Sequence, residues 1–202
     1  VTSVVYLMDC MDLLKQVPDK YFELAIVDPP YRDMIENHPT KDMRENGAMN
    51  KFGDKPNNYY FKLLERKTSN QIIWGANNFQ LPPFKGFVVW KKKTIGENFT
   101  MSMCEIASLS EQLGTTSKWV EIEPQDKERF HPTQKPIKLY EWIFKNYANP
   151  NDKILDTHLG SGSSRIAADK ANLPFVGCEL DPDYFYSHIK RFNEYSAQGT
   201  IF

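Results

Sequence analysis

Four consecutive residues, Asp28-Pro29-Pro30-Tyr31, have the chemistry needed to hold a planar amino group. A carboxylate at Asp28 accepts one amine proton, and a proline carbonyl, in a turn without competing N–H groups, accepts the other. The Tyr31 ring offers a flat face on which a purine or pyrimidine can stack. The alternative at this point is that the two prolines merely end the preceding apolar run, residues 24–27.

A second group of candidate residues, 156–164, connects an apolar run to a helical pattern near the end of the chain. Gly160 and Gly162 let the backbone approach a ligand closely, and Asp156 stands at the carboxyl end of a predicted strand. The next apolar run ends at Glu179, at the spacing that suits an acid gripping ribose hydroxyls. The pattern predicts an adenosine-containing cofactor, and the incomplete glycine fingerprint disfavours a pyrophosphate-bearing dinucleotide.

Short apolar runs alternate with helical patterns along the chain, which is typical of an α/β fold with a parallel sheet covered on both faces. Residues 32–57 lack periodicity and are predicted to be a lid or insertion. The predicted helices are 10–16, 58–68, 137–147, 163–170 and 183–195. The predicted strands are 4–8, 23–27, 71–74, 86–90, 104–109, 118–123, 153–155 and 175–178.

The composition of the 202 residues favours a single domain in a reducing compartment. The three cysteines are widely spaced and odd in number, which disfavours a disulfide framework or a zinc knuckle. No stretch approaches the apolar length of a membrane span and no leader pattern opens the chain, so a cytoplasmic location without membrane contact is expected. None of the four histidines has the spacing of a ligand pair, and no metal is predicted.

The motifs resemble those of the amino-methylating DNA methyltransferases that use S-adenosylmethionine, and the resemblance covers nearly all of the chain. Residues 28–31 are similar to the catalytic motif of that family, residues 156–162 to its methionine-binding motif, and Glu179 to its ribose-binding acid. Two further matches are His131-Pro132-Thr133-Gln134-Lys135-Pro136 and Trp74-Gly75-Ala76-Asn77. Several distinct motifs in the family's order make chance agreement improbable.

The resemblance implies methyl transfer from S-adenosylmethionine to the N6 amino group of adenine in DNA, with the target base flipped out of the duplex. It implies that Asp28 and the Pro29 carbonyl accept the two amino protons, that Pro30 fixes the loop and that Tyr31 stacks on the base. The residues implied for the cofactor are Asp9, Cys10, Thr133, Gln134, Lys135, Asp156, His158, Gly160, Ser161, Gly162, Ser163, Ser164 and Glu179.

The catalytic motif precedes the cofactor motif, as in the permuted beta class of this family. The resemblance therefore implies a class I methyltransferase fold, with a Rossmann-like, doubly wound, mostly parallel sheet in circularly permuted order. The expected single domain, 1–202, divides into a catalytic half, 1–103, a short target-recognition segment, 104–130, and a cofactor half, 131–202. Because a recognition segment of about 25 residues is small for a domain, a homodimer or a partner subunit is a plausible addition.

Contacts to nucleic acid are expected from the basic middle of the chain, where residues 32–103 carry 12 Lys and Arg against 7 Asp and Glu. Arg32 and the run Lys91-Lys92-Lys93 are the candidates for phosphate binding, with a solvated surface as the alternative. Lys135 is expected to meet the cofactor carboxylate or to cap local carbonyls. Thr157-His158 stands where the family usually has Pro-Phe, so the apolar packing against the cofactor is expected to differ.

Four alternative functions remain open from the sequence. Cytosine N4 presents the same two amino protons as adenine N6, although an acid at position 28 favours adenine where cytosine-modifying relatives often have Ser. Single-stranded RNA would avoid the cost of opening a duplex. A catalytically silent binding module, or a nucleotide-binding oxidoreductase, would account for parts of the pattern.

Overall fold

The structure is a computed structural model that describes residues 2–31, 54–99, 102–124, 129–131 and 133–198. Its strands are β1 (Ser3–Leu7), β2 (Phe22–Val27), β3 (Thr68–Trp74), β4 (Phe87–Lys92), β5 (Cys104–Leu109), β6 (Lys118–Ile122), β7 (Ile154–Asp156) and β8 (Phe175–Glu179). Its α-helices are α1 (Cys10–Gln16), α2 (Asn58–Lys67), α3 (Ile137–Tyr147), α4 (Ser163–Lys170) and α5 (Pro182–Gln198).

The eight strands form one sheet in the order β1-β8-β7-β2-β3-β5-β4-β6. Every neighbouring pair is parallel except those made by β5, which runs antiparallel to both β3 and β4. The expected α/β, Rossmann-like, doubly wound and mostly parallel sheet is therefore confirmed. Strands from both ends of the chain meet at its centre, because β7, near the end of the chain, pairs with β2, near its start.

Two apolar cores cover the two faces of the sheet, as the alternation along β2 requires. Leu24 and Ile26 pack with α3 and α4 on one face, whereas Ala25 and Val27 pack with α1 and α2 on the other. A strand buried on both faces reads as a continuous apolar run, which is why β2 shows no polar alternation in the sequence. The central strands are thus held rigidly, and residues that follow them are held with them.

Most predicted elements agree with the observed ones, and α1, α3, α4 and β5 agree at both ends. The predicted strand 86–90 was too short, since β4 continues to Lys92. The predicted strand 71–74 was also too short, because β3 begins at Thr68, directly after α2. Asp156 and Glu179 are the last residues of β7 and β8, so both predicted site acids close a strand.

The segment 104–130, expected to recognise the target, contributes two strands to the central sheet. β5 lies inside the sheet between β3 and β4, and β6 forms its edge. Of the expected lid, residues 32–53 lie outside the described residues. Within the described ranges, no helix has the length and apolar character needed to cross a membrane.

Candidate active site

The site lies where the sheet changes its winding direction. β7 and β2 are neighbours, but the chain leaves β7 through α4 toward β8 and leaves β2 toward β3, on opposite sides. Open α/β sheets bind ligands at the carboxyl ends of the strands at such a switch point. Asp28 follows the last residue of β2 and Asp156 ends β7, so both motifs predicted from the sequence meet at this crevice.

Asp28 is held by two donors. The Tyr31 hydroxyl donates to Oδ1 at 2.6 Å, and the Lys135 ammonium donates to Oδ2. Burial raises the pKa of the Tyr31 phenol well above its usual value, and the nearby carboxylates of Asp28 and Glu105 raise it further, so the phenol stays a donor. Pro29 is buried and Pro30 half-buried, which leaves the loop little freedom to move the carboxylate.

The Tyr31 ring is seated on Gly75, in the Trp-Gly-Ala-Asn segment noted in the sequence. A Cβ at residue 75 would lie 2.1 Å from Cε1 of Tyr31, far inside van der Waals contact, and its φ of +66° is left-handed. The Gly75 N–H donates to the Ile106 carbonyl at 2.8 Å, which ties this turn to β5. The ring also meets Phe79 edge to face at 6.0 Å. Gly75 is therefore required for the position of Tyr31.

Lys135 is buried in the centre of the site, with 3% of its side chain exposed. Its ammonium lies 3.0 Å from the carboxylate of Glu105 on β5 as well as against Asp28. Burial alone lowers the pKa of this amine, but Asp28 and Glu105 outweigh burial and raise it above its ordinary value. Lys135 is therefore a charged contact of the Asp28 loop, a placement that the sequence had not indicated.

Lys92 must be removed from the candidates for phosphate binding. It points inward from β4, with 9% of its side chain exposed, and pairs with Glu105 at 2.8 Å. The side chains of a strand alternate between faces, so Lys91 and Lys93 are exposed while Lys92 is not. Lys91 pairs with Glu121 on β6 at 3.1 Å. Arg32 lies outside the described residues.

Asp156 shapes the glycine turn from beneath. Its Oδ1 accepts the His158 N–H at 3.0 Å, and its Oδ2 accepts the Ser164 hydroxyl at 2.5 Å. Burial raises the pKa of this carboxyl to about 7, although the two donors oppose that rise. The acid thus joins the end of β7 to the start of α4 and sets the path of the backbone between them.

Two further acids, Glu179 at the end of β8 and Asp9 just after β1, lie on the same edge of the sheet as the turn. Glu179 accepts the Gly160 N–H at 2.7 Å, and its other oxygen accepts the Leu180 and Asp181 N–H groups at 2.9 and 3.0 Å. Asp9 caps α1 by accepting the Met11 N–H at 2.7 Å. Cys10 is half-buried, and burial with the nearby Asp9 raises the pKa of its thiol to about 12, so it is not a nucleophile at neutral pH.

A short polar chain replaces the usual Pro-Phe of the family. The hydroxyls of Tyr60 and Thr157 are 2.6 Å apart, and Thr157 Oγ1 lies 2.9 Å from Nδ1 of His158. The Tyr60 and His158 rings meet edge to face at 5.5 Å. Burial lowers the pKa of His158 to about 4, so the ring is neutral. The His158 imidazole therefore takes the place of the usual Phe side chain as an uncharged aromatic ring.

The second half of the turn is held from α5. Arg191 donates to the Ser161 carbonyl at 3.0 Å and to the Ser163 hydroxyl at 2.9 Å. Gly162 caps α4 with a φ of +72°, and a Cβ there would lie 3.0 Å from the His188 ring. Both serines are buried. Because Ser161 and Ser163 are buried and Gly162 has no side chain, the turn presents mainly backbone atoms at its surface.

The connector before α3 brings the remaining predicted residues to the same place. The His131 ring packs against the Tyr184 ring with centroids 4.3 Å apart and planes tilted by 59°, and its Nε2 would lie 3.4 Å from a Cβ at Gly160. Gln134 is buried, whereas Thr133 is exposed and has its hydroxyl 3.3 Å from the His131 ring. The connector therefore backs the glycine turn and also delivers Lys135 to Asp28.

Two residues of the site were missed in the sequence. Glu105 interrupts the apolar alternation of β5, and an acid on an inward-facing strand position is the signal that would have identified it. Tyr140 is buried on α3, and Asp156 and Asp28 add to the effect of burial in raising the pKa of its phenol.

The arrangement fits an adenosine-type cofactor lying across three neighbouring strand ends. The strands β7, β8 and β1 are adjacent, and they end at the glycine turn, at Glu179 and just before Asp9. The turn exposes backbone at Gly160 and Gly162, where an added Cβ would lie 3.4 Å from the His131 ring and 3.0 Å from the His188 ring. Among the described residues, no three His, Cys, Asp or Glu side chains group in a way that could hold a metal ion.

Comparison with known proteins agrees with this geometry. Residues 18–191 match the model of a family described as DNA methylase, with N6- and N4-specific members. The type II methyltransferase M1.MboII of Moraxella bovis is 23% identical over 240 aligned positions, covering 89% of this chain and 92% of that protein.

Solved structures show the same fold. The PvuII cytosine-N4-specific DNA methyltransferase superposes with a TM-score of 0.68 at 14% identity, over 95% of this chain and 86% of that one. The complex of M1.HpyAVI with S-adenosylmethionine gives a TM-score of 0.62 at 20% identity, over 96% and 100%. The chain belongs to the N6/N4 DNA methylase family, the S-adenosylmethionine-dependent enzymes that methylate amino groups of DNA bases.

Proposed function

We propose that this chain methylates the N6 amino group of adenine in DNA. The observation that carries the proposal is the position of Asp28, which is held by Tyr31 and Lys135 beside the glycine turn of the cofactor half. The preference for adenine over cytosine rests on the acid at position 28, where cytosine-modifying relatives often have Ser. Because the family contains both N6- and N4-methylating enzymes, the choice of adenine is a proposal in addition to family membership.

S-adenosylmethionine, when bound, supplies an electrophilic methyl group on a sulfonium. In our proposal, Glu179 and Asp9 hold its ribose and adenine, and the backbone of residues 158–164 lies against its methionine part. The buried serines and Arg191 keep that backbone in one conformation. The neutral His158 ring replaces an apolar wall without adding charge next to a cation.

Asp28 and Pro29 act on the incoming amine. An aromatic amine is a poor nucleophile, because its lone pair is delocalised into the ring. When the Asp28 carboxylate and the Pro29 carbonyl accept hydrogen bonds from its two N–H groups, the nitrogen becomes more pyramidal, and positive charge developing there is stabilised. Because the loop is fixed before the substrate arrives, little reorganisation is needed at the moment of transfer.

Tyr31 has two tasks in this proposal. Its hydroxyl orients the Asp28 carboxylate, a role that sequence reasoning had not assigned. Its ring, seated on Gly75, offers the face on which a base rotated out of the duplex stacks. The exposed Lys91 and Lys93 are proposed to meet phosphates, while a homodimer or partner subunit and a cytoplasmic location remain parts of the proposal.

A methylation assay tests the proposal. Purified protein is incubated with unmethylated DNA and isotopically labelled S-adenosylmethionine, and the DNA is digested to nucleosides for mass spectrometry. We expect N6-methyladenine. Labelled N4-methylcytosine would overturn the assignment of the base, and transfer to RNA alone would overturn the assignment of the polymer. Cofactor binding without transfer to any nucleic acid would support a silent module.

The variant Asp28→Asn links the activity to this site. It keeps the shape of the side chain and removes its charge, so we expect the transfer rate to fall by roughly 10²–10³-fold, the order seen when a preorganised electrostatic group is lost. Affinity for S-adenosylmethionine, measured by calorimetry, should change little, because Asp28 is not among the proposed cofactor contacts. An unchanged transfer rate would refute our assignment of Asp28.

A further inference from the structure

Four charged side chains of alternating sign lead from β4 to the catalytic loop. Lys92 pairs with Glu105 at 2.8 Å, Glu105 with Lys135 at 3.0 Å, and Lys135 with Asp28. All four are largely withdrawn from water, with 9%, 21%, 3% and 17% of the respective side chains exposed. Asp28 is the only one of the four that the sequence marks as catalytic.

Fold stability does not explain such a chain. Removing charges from water is costly, and well-packed apolar residues of similar volume are often at least as stabilising as a buried ion pair. Lys92 and Glu105 also lie on strands β4 and β5, in the part of the sheet where apolar side chains form the core. A set of charges kept in such a place calls for a role in the chemistry.

Lys135 creates an electrostatic problem that Glu105 can solve. An ammonium against Asp28 fixes the carboxylate, but its positive charge also opposes the positive charge that develops on the substrate amine. We propose that Glu105 is a positioning residue that balances the charge of Lys135. With that balance, Lys135 can hold Asp28 without cancelling its attraction for the developing cation. This inference rests on the proposed methyl transfer.

The surroundings of Glu105 fit this role. Burial would raise the pKa of its carboxyl, but Lys135 and Lys92 outweigh burial and lower the pKa to about 2, so the charge is present at every working pH. Lys92 is the outer member of the chain and keeps Glu105 ionised. Trp74 lies under the pair, with the Lys135 ammonium 5.4 Å from its ring centroid.

The test compares Glu105→Gln with a matched control. Glu105→Gln keeps the size of the side chain and removes its charge. Glu121→Gln makes the same change at a residue on β6 that pairs with Lys91, away from the site. Single-turnover transfer at saturating DNA and cofactor measures the chemistry, calorimetry measures cofactor affinity, and urea unfolding measures stability.

We expect Glu105→Gln to lower the single-turnover rate by roughly 30- to 100-fold. Its affinity for S-adenosylmethionine should stay within about threefold of the parent, because Glu105 is not among the proposed cofactor contacts. The loss would then lie in the chemical step and not in cofactor binding. Glu105→Asp should recover most of the rate, and Glu121→Gln should match the parent. A rate for Glu105→Gln within about threefold of the parent would overturn the inference.

A double variant separates charge balance from a structural role. If Glu105 acts by balancing Lys135, then Glu105→Gln should slow the parent but should not slow a Lys135→Met enzyme further. Equal slowing in both backgrounds would refute the inference. If Glu105→Gln does not fold, Glu105→Met, which also removes the charge at similar side-chain length, carries the same comparison. A parent that transfers no methyl group to any DNA would instead overturn the proposed function, so the two failures are distinguishable.

Discussion

Replacing Gly75 by Ala tests how Tyr31 is positioned. The new Cβ would lie 2.1 Å from Cε1 and 2.5 Å from Cζ of the ring, and the backbone there has a φ of +66°. The left-handed backbone costs an alanine about 1–2 kcal/mol. Because the tyrosine ring is the part that can move, the clash should displace Tyr31 and break its 2.6 Å hydrogen bond to Asp28, at a cost of about 1.5–3 kcal/mol.

Two other glycines separate these effects. Gly114 also has a positive φ, +110°, but a Cβ there meets nothing within 4 Å, so Gly114→Ala carries backbone strain alone. Gly96→Ala carries neither strain nor contact. Urea unfolding should show that Gly75→Ala loses about 2.5–5 kcal/mol, Gly114→Ala about 1–3 kcal/mol and Gly96→Ala almost nothing.

The transfer rate should distinguish the three variants more sharply than stability does. Displacing a positioned group by about 1 Å can cost roughly 10²-fold in rate, and we expect that loss for Gly75→Ala only. Single-turnover methylation at a temperature where every variant is folded gives the measurement. A Gly75→Ala enzyme as fast as Gly114→Ala would show that Tyr31 needs neither this seat nor its hydrogen bond to Asp28.

Three further predictions use other parts of the chain. Burial and nearby Arg165 lower the pKa of His188 to about 4, so the stability that depends on the neutral imidazole is full above pH ~6.5 and is lost as pH falls toward 4. In urea titrations, the free energy of unfolding of the parent should fall between pH 7 and pH 5 by about 2 kcal/mol more than that of His188→Gln. Thr157→Val leaves the buried Tyr60 hydroxyl without its 2.6 Å partner and should lower the free energy of unfolding by about 1–3 kcal/mol, a loss that shrinks in a Tyr60→Phe background. Lys93→Gln should reduce the slope of log affinity for DNA against log salt by about 0.9, whereas Lys92→Met should leave it unchanged; equal slopes for parent and Lys93→Gln would remove Lys93 from the interface.

Local patterns were sufficient for much of the fold. Helix α4 could be delimited from the sequence because Gly162 precedes it and Lys170 closes it, and a central strand such as β2 could be recognised as an apolar run before a turn. Strand ends were less certain, as β4 shows. The predicted strand ended at residue 90, whereas Lys92 belongs to β4 and its side chain pairs with the Glu105 carboxylate. An inward lysine is stable in a strand only when a partner from another strand neutralises it.

The site was predictable in part for the same reason. Asp28, the glycine turn and Glu179 each follow an apolar run directly, so their neighbours in sequence mark them. Glu105 has no such marker, because its partners Lys92 and Lys135 come from β4 and from the connector before α3. Pairing of β5 with β4 brings Lys92 beside Glu105, and the connector before α3 adds Lys135.

By itself, the sequence determined the family, the permuted order of its motifs and the residue types available for methyl transfer, because these are written in short contiguous segments. The tertiary structure decided which of those residues touch. In the folded chain Lys135 contacts Asp28, the Tyr31 ring packs on Gly75, and the Lys92 side chain is buried. Contacts between charges depend on distance and burial, and both are set only when β2, β5 and β7 lie in one sheet.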